Sequence, residues 1–125
     1  MREYHEFLRN GSVAVWVGNC FTTEDEMIEY VDDGPFASDF DFSIRPAAGR
    51  ELTVEATPVP IEHLAKGFSY WRYFSQEVVG TAQKLDLKIA RCMLVVYNVF
   101  YAPPETKLIS NHKLTFFGNF KYGEL

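Results

Sequence analysis

A short apolar run near the start of the chain, VAVWV at residues 13–17, constrains the fold more than any other segment. Its β-branched and aromatic side chains favour a strand, and the lack of alternating polar residues indicates that both faces of this strand are covered. Gly18-Asn19 ends the run, since both residue types tolerate the positive φ of a tight turn. The sequence therefore predicts a buried strand on which the rest of the chain is organised.

An acidic helix is predicted directly after this turn. Residues 23–26 have the capping-box pattern, in which the Thr23 hydroxyl accepts from a backbone N–H and Glu26 reaches back to the start of the helix. An apolar stripe continues to Val31, and Asp32-Asp33-Gly34-Pro35 ends the helix. Strand, turn and helix together form one continuous unit.

Hydrophobic periodicity predicts the remaining elements. In chain order they are an antiparallel hairpin of residues 40–44 with 52–57, a short helix over 61–66, a helix from a Ser69 cap to about residue 84, a central strand over 90–101 and a last strand over 114–120. This order indicates an α+β fold, with helices packed on a mostly antiparallel sheet of four to five strands. We find no repeat or linker, so residues 1–125 are predicted to form a single domain.

Charge is distributed unevenly along the chain. Residues 1–62 carry 13 acidic and 4 basic side chains, a net charge of −9, and residues 63–125 carry 4 acidic and 8 basic ones, a net charge of +4, which together give the overall −5. An acidic first half repels phosphates and argues against nucleic acid as a direct ligand. It favours a basic protein partner instead.

The start of the chain has no apolar signal-peptide core, and no apolar run approaches the roughly 20 residues of a membrane span. We therefore expect a cytoplasmic protein that does not bind a membrane. The two cysteines, Cys20 and Cys92, lie far apart and predict neither a disulfide framework nor a metal site.

The predicted partner-binding surface consists of carboxylates on and after the acidic helix, six of which lie within the ten residues 24–33. The helix dipole favours acids at the N-terminus of a helix, but it disfavours Asp32 and Asp33 at the C-terminal end by a few tenths of a kcal/mol each. Two aspartates at a position that lowers stability, with no structural reason for them, suggest a binding surface. The predicted partner-binding residues are Glu24, Asp25, Glu29, Asp32, Asp33, Asp39 and Asp41.

Catalytic chemistry has two weak candidates in the sequence. Asp39 and Asp41 would lie on one face of a strand as a metal-binding or acid–base pair, although their alternation with apolar residues is more typical of the solvated side of a strand. Cys92 could pair with a distant histidine, but a thiol inside an apolar strand has a raised pKa and low reactivity. The three histidines have no metal-ligand spacing. We therefore expect no enzyme activity, no metal and no cofactor.

Five segments give the chain a resemblance to a known family. They are VWVGN at 15–19, Phe21 with Glu24 and Tyr30, DFSI at 41–44, LVVYNVFY at 94–101 and FFGNFKY at 116–122. In this order and spacing the chain resembles Immunity protein 22, a family of small bacterial immunity proteins from polymorphic toxin systems. The resemblance spans residues 13–122, and Ser43 stands where the family pattern has glycine.

The resemblance implies a non-catalytic inhibitor, made beside a toxin gene, that binds the toxin domain and blocks its active site. Many such toxins are nucleases, whose basic surfaces an acidic inhibitor would mask. Two alternatives stay open: a small enzyme that uses Asp39 and Asp41 or Cys92, and a structural protein-interaction module. The aromatic residues at 70–73 are an alternative location for the binding surface.

Overall fold

The computed structural model describes residues 3–32, 34–44, 49–103 and 113–122. Their elements are a 3-10 turn (Tyr4–Phe7), β1 (Leu8–Gly18), α1 (Glu24–Asp32), α2 (Pro35–Phe40), β2 (Arg50–Pro60), α3 (Ile61–Ala65), α4 (Trp71–Lys84), β3 (Ile89–Val99) and β4 (Thr115–Lys121). The strands form one sheet in the order β2-β3-β1-β4, and each neighbouring pair is antiparallel. The predicted α+β fold, a four-stranded antiparallel sheet with helices packed on it, is confirmed.

Strand β1 lies at the centre of the fold because its two faces belong to separate apolar clusters. Val13, Val15 and Val17 pack with α3 and α4, whereas Ala14 and Trp16 pack with α1 and α2. All five side chains are fully buried. A strand covered on both faces needs no polar alternation, so the predicted buried strand is confirmed.

The helices α3 and α4 and the strands β3 and β4 lie close to their predicted positions. One detail is wrong: Ser69 does not cap α4. The N-cap is Tyr70, whose φ is 61°, and no side chain caps the helix. The backbone N–H of Ser69 instead donates to the Glu51 carboxylate at 3.0 Å.

The predicted hairpin is wrong in its first strand. Pro35 occupies the first turn of α2, where its fixed φ suits a helix, and α2 continues to Phe40. Asp41 follows in the left-handed conformation, with a φ of 53°, and Ser43 forms an isolated parallel bridge to Glu3. The second predicted strand lies within β2, which pairs with β3 instead.

The apolar side chains of that segment are buried as expected. Phe40, Phe42 and Ile44 all belong to the cluster beneath α1 and α2, and Asp39 is exposed. The alternation of apolar residues therefore predicted burial correctly and secondary structure incorrectly.

Strands β2 and β4 form the two edges of the sheet, and each has an irregular register. The pairing of β2 with β3 shifts between Val54 and Val59, beside Pro58. The pairing of β4 with β1 shifts next to Gly118, whose φ of 141° suits glycine. Both edge strands are therefore locally bent away from regular pairing.

Candidate functional site

Helix α1 begins with a network that fixes the position of Glu26. The Thr23 hydroxyl accepts the Glu26 backbone N–H at 3.2 Å. The Glu26 carboxylate in turn accepts from the Thr22 N–H at 3.3 Å, from the Thr22 hydroxyl at 2.7 Å and from the Thr23 hydroxyl at 3.2 Å. The reciprocal cap is therefore present, but Thr22 rather than Thr23 supplies the backbone amide.

These hydrogen bonds also fix the charge of the helix start. The Thr22 hydroxyl and amide lower the pKa of Glu26 below its ordinary value. Three other acids of α1 are exposed like Glu26. The acidic surface of α1 consists of Glu24, Asp25, Glu26 and Glu29.

Asp32 does not belong to that surface, because it has an intramolecular partner. The Arg50 guanidinium on β2 contacts both of its carboxylate oxygens, from Nε to Oδ1 at 3.1 Å and from Nη2 to Oδ2 at 2.5 Å. The two side chains are only 14% and 17% exposed. The premise that nothing in the fold explains the position of Asp32 is wrong. The side chain of Asp32 joins α1 to the edge of the sheet. Asp33 lies outside the described residues.

We expect Asp32→Ala to lower the free energy of unfolding by about 1–3 kcal/mol, because it leaves the mostly buried Arg50 guanidinium without its carboxylate. Glu29→Ala, an exposed site on the same helix, should change it by no more than about 0.5 kcal/mol. Urea denaturation of Asp32→Ala, Arg50→Ala and the double variant measures the coupling between the two side chains. Additive losses would show that the pair contributes nothing to stability.

The two other predicted aspartates, Asp39 and Asp41, do not form a pair on a strand face. Asp39 lies in the last turn of α2, and Asp41 caps this helix with its backbone N–H bound to the Ala37 carbonyl. The Tyr30 hydroxyl donates to Asp39 Oδ2 at 2.6 Å, which joins α1 to α2. Asp39 therefore orients an aromatic ring beside the acidic surface.

The ring of Tyr30 lines a cleft of about 410 Å³ along α1. Lys113, just before β4, extends over it: its Nζ lies 5.5 Å from the ring centroids of both Phe21 and Tyr30. We call this feature the Phe21–Tyr30 cleft. Its lining residues are Phe21, Glu26, Glu29, Tyr30, Pro35 and Lys113.

The sequence prediction missed this cleft. Phe21 and Tyr30 were noted only for their spacing, and their rings meet at a centroid distance of 5.2 Å because α1 folds back over the turn after β1. Lys113 is far from them in sequence, and no local pattern connects it to the acidic helix. Amphipathic periodicity identifies the buried side of α1, but not what lies beside its exposed side.

The cysteine and histidine candidates for catalysis lie on separate elements of the described residues. Cys92 is buried on β3, and burial raises the pKa of its thiol to about 12. His5 and His63 lie on separate elements, each beside a glutamate, and His112 lies outside the described residues. In the part of the chain that the structure describes, no group of three or more His, Cys, Asp or Glu side chains could hold a metal ion.

The two cysteines should differ sharply in reactivity. Cys20 is exposed in the turn after β1, and Cys92 is fully buried. At neutral pH we expect a thiol reagent to label one cysteine rapidly in the native protein and both after denaturation. Mass spectrometry of the labelled protein checks this, with Cys20→Ser as the control that removes the rapid reaction. Rapid labelling of Cys92 in the native protein would contradict its burial and revive the nucleophile hypothesis.

The alternative aromatic surface is divided between core and solvent. Trp71 is half-buried against the cluster beneath α3 and α4, whereas Tyr70 and Tyr73 are 56% and 55% exposed. Tyr70 packs at a centroid distance of 5.1 Å against Tyr122. This patch lies on the opposite side of the sheet from the acidic surface, because α4 and α1 pack on different faces of β1.

None of the helices in the described ranges is both long and apolar enough to cross a membrane. The chain matches no family model, no curated protein and no solved structure.

Proposed function

We propose that this protein is a non-catalytic inhibitor that binds the basic surface of a bacterial toxin domain through the acidic surface of α1. The observation that carries the proposal is the set of four exposed carboxylates on one helix, beside a cleft that already accommodates a cation. The resemblance to immunity proteins supports the choice of partner, and it implies action in the bacterial cytoplasm.

Electrostatics favours a basic partner for this surface. The carboxylates of Glu24, Asp25 and Glu29 are exposed, and that of Glu26 is held in position by its threonine neighbours. Enzymes that act on nucleic acids need basic surfaces to bind phosphates, and an acidic protein surface presents such an enzyme with a competing source of negative charge. Complementary charge also accelerates association, which an inhibitor of a toxin in the same cell requires.

The burial of Asp32 changes how the proposal is tested. A variant that reverses Asp32 would break its pair with Arg50 and confuse misfolding with lost binding. The variant of choice is Asp25→Lys/Glu29→Lys, whose sites are exposed. The matched control is Glu62→Lys/Glu77→Lys, which changes the net charge equally at exposed sites on α3 and α4.

The binding measurement uses the toxin domain encoded beside this gene, after circular dichroism has shown that both variants fold. We expect the α1 variant to lose at least about tenfold in affinity, and the control to stay within about threefold of the wild type. The wild-type association rate should fall as ionic strength rises from about 0.01 to about 1 M, because the Debye length shrinks from about 30 to about 3 Å. This salt dependence should weaken in the α1 variant.

Cells that express the toxin provide the second readout. The wild type and the α3–α4 control should protect them, and the α1 variant should not. Equal affinity and equal protection for both variants would reject the acidic surface as the binding site, and exposed Tyr70 and Tyr73 would then be the surface to test.

A further inference from the structure

Strand β1 contains a bulge near its start. Its pairing with β3 is interrupted, so that residues 9–12 of β1 lie opposite Asn98 alone. Within the described ranges, residues 9–11 also have no partner in β4, whose pairing with β1 begins at Ser12. Bulges often lie beside functional sites, because they turn side chains out of the regular pleat of a strand.

Two residues in the left-handed conformation give the bulge a fixed shape. Gly11 has a φ of 80° and Asn98 a φ of 62°. The side-chain oxygen of Asn98 accepts the Gly11 N–H at 3.2 Å and also the Tyr122 hydroxyl, and the Gly11 carbonyl accepts the Tyr122 N–H at 2.9 Å. A residue other than glycine adopts this conformation at a cost in free energy, and such costly conformations are concentrated at binding sites.

The bulge borders a cavity of about 170 Å³ that is lined by two cations. Arg9 belongs to the bulge, and Lys121 lies on the neighbouring strand β4. No carboxylate of the described residues forms an ion pair with either side chain. Two cations that line one small cavity repel each other until an anion lies between them. The cavity therefore has the charge of an anion site.

The Arg9 guanidinium is held in place without the use of its hydrogen-bond donors. It lies over the ring of Phe100, with its Cζ 4.2 Å from the ring centroid. Stacking of this kind uses the face of the guanidinium and leaves the N–H groups at its edge for an acceptor. The backbone N–H of Phe100 donates to the Phe7 carbonyl at 2.8 Å, which fixes the position of the ring. A cation that is already positioned loses little conformational entropy when it binds a ligand.

Ser12 adds a neutral donor to the same cavity. It is only 5% exposed, and within the described residues its hydroxyl has no hydrogen-bond partner. A buried hydroxyl is normally hydrogen-bonded, because leaving it unpaired costs free energy. Asn119, which also lines the cavity, is different: its amide oxygen and nitrogen both bind the backbone of Tyr101, at 2.8 and 2.9 Å. An anion would supply the acceptor that Ser12 lacks.

We propose that this cavity binds a phosphate-type oxyanion through Arg9, Ser12 and Lys121. These donors lie on two strands, so each can bind a different oxygen of a tetrahedral anion, whereas a carboxylate offers only two oxygens. The cavity is smaller than the roughly 300–1,000 Å³ of sites for drug-sized ligands, which favours a single phosphate group over a whole nucleotide. The inference is independent of the inhibitor function, because none of these residues belongs to α1.

The first experiment is an NMR titration of the isotope-labelled protein with sodium phosphate, at an ionic strength held constant with sodium chloride. We expect saturable shifts of the backbone amides of residues 9–12 and of the Arg9 Nε–H. Half-saturation should fall at about 1–10 mM, since the overall charge of −5 opposes an anion at long range. Sulfate should bind similarly, and acetate at least about fivefold more weakly. Shifts that do not saturate, or that acetate produces equally, would overturn the proposal.

Glycerol 3-phosphate distinguishes two sources of the phosphate group. Binding tighter than that of inorganic phosphate would identify a phosphate monoester of a small molecule, whose remainder contacts the rim of the cavity beside exposed Phe100. Equal or weaker binding would identify inorganic phosphate. These titrations contain no toxin, so their outcome does not depend on whether the inhibitor function holds.

Matched variants separate a specific site from general attraction between charges. Arg9→Ala should weaken phosphate binding at least about tenfold, and Lys121→Ala and Ser12→Ala at least about threefold each. The control is Arg72→Ala: Arg72 is exposed on α4 and also lies over an aromatic ring, that of Trp71, with its Cζ 5.8 Å from the centroid. It should bind phosphate like the wild type. Equal losses in Arg9→Ala and Arg72→Ala, both folded by circular dichroism, would overturn the proposal.

Discussion

Trp16→Ala should lower the free energy of unfolding by about 3–5 kcal/mol, the range for removing a large aromatic side chain from a core. Trp16 has no exposed surface, and its indole packs with ring-centroid distances of 5.0–6.1 Å against aromatic rings from α2, from β4 and from the segments that follow α2 and β3. These partners are Phe36, Phe40, Phe42, Tyr101 and Phe116. The cavity left by alanine has rigid walls and cannot collapse fully.

Two further substitutions make this prediction specific. Trp16→Phe should cost only about 1 kcal/mol, because it keeps the ring contacts and removes an indole N–H that has no acceptor among the described residues. Trp71→Ala should cost clearly less than Trp16→Ala, since Trp71 is half-buried. Urea denaturation followed by far-ultraviolet circular dichroism measures all three. An unchanged midpoint for Trp16→Ala would remove β1 from the centre of the fold.

Gly18→Ala should be nearly as damaging, with a loss of about 3 kcal/mol. A Cβ at this position would lie 2.0 Å from the Lys113 carbonyl oxygen and 3.0 Å from Leu114 Cδ2. The first of these atoms is backbone, so rotation of a side chain cannot relieve the overlap. The strand β1 and the segment that leads into β4 would have to separate.

The same substitution at Gly80 provides a control, because its expected change in the free energy of unfolding has the opposite sign. Gly80 lies inside α4, and no atom would contact a Cβ there. Gly80→Ala should therefore raise the free energy of unfolding by about 0.5–1 kcal/mol, through the better helix propensity of alanine. Denaturation midpoints that move in the same direction for both variants would contradict the close approach at Gly18.

Elements with a strong local signal were predictable from the sequence. The apolar run of β1, the threonine cap of α1 and the helical periodicity of α4 each depend on neighbouring residues, and each is found in the structure. The failure at residues 40–44 also has a local cause: the end of a short helix and an irregular segment bury Phe40 and Phe42 as a strand would. Alternation of apolar and polar residues indicates which side chains are buried. More than one backbone conformation can bury the same side chains.

The candidate site was predictable only in part, because its key contacts are distant in sequence. The exposed acids of α1 follow from the sequence of that helix alone. The pairing of Asp32 with Arg50 depends on β2 forming the edge of the sheet beside α1, and the position of Lys113 depends on β4 pairing with β1. The sequence of α1 contains no signal for the position of β2 or of β4. For this reason Asp32 is a predicted binding residue and Lys113 is not among the predicted residues.

The irregular edge strands have a consequence for how this protein can be recognised. β4 is rich in phenylalanine, and an apolar strand at the edge of a sheet invites pairing with a strand of another molecule, the first step of aggregation. The bulge at Gly118 and the charge of Lys121 oppose such pairing on β4, and Pro58 and Pro60, which lack an N–H, oppose it on β2. Strand addition is therefore disfavoured at both edges, and a protein partner would have to be bound by side chains on the helical layers.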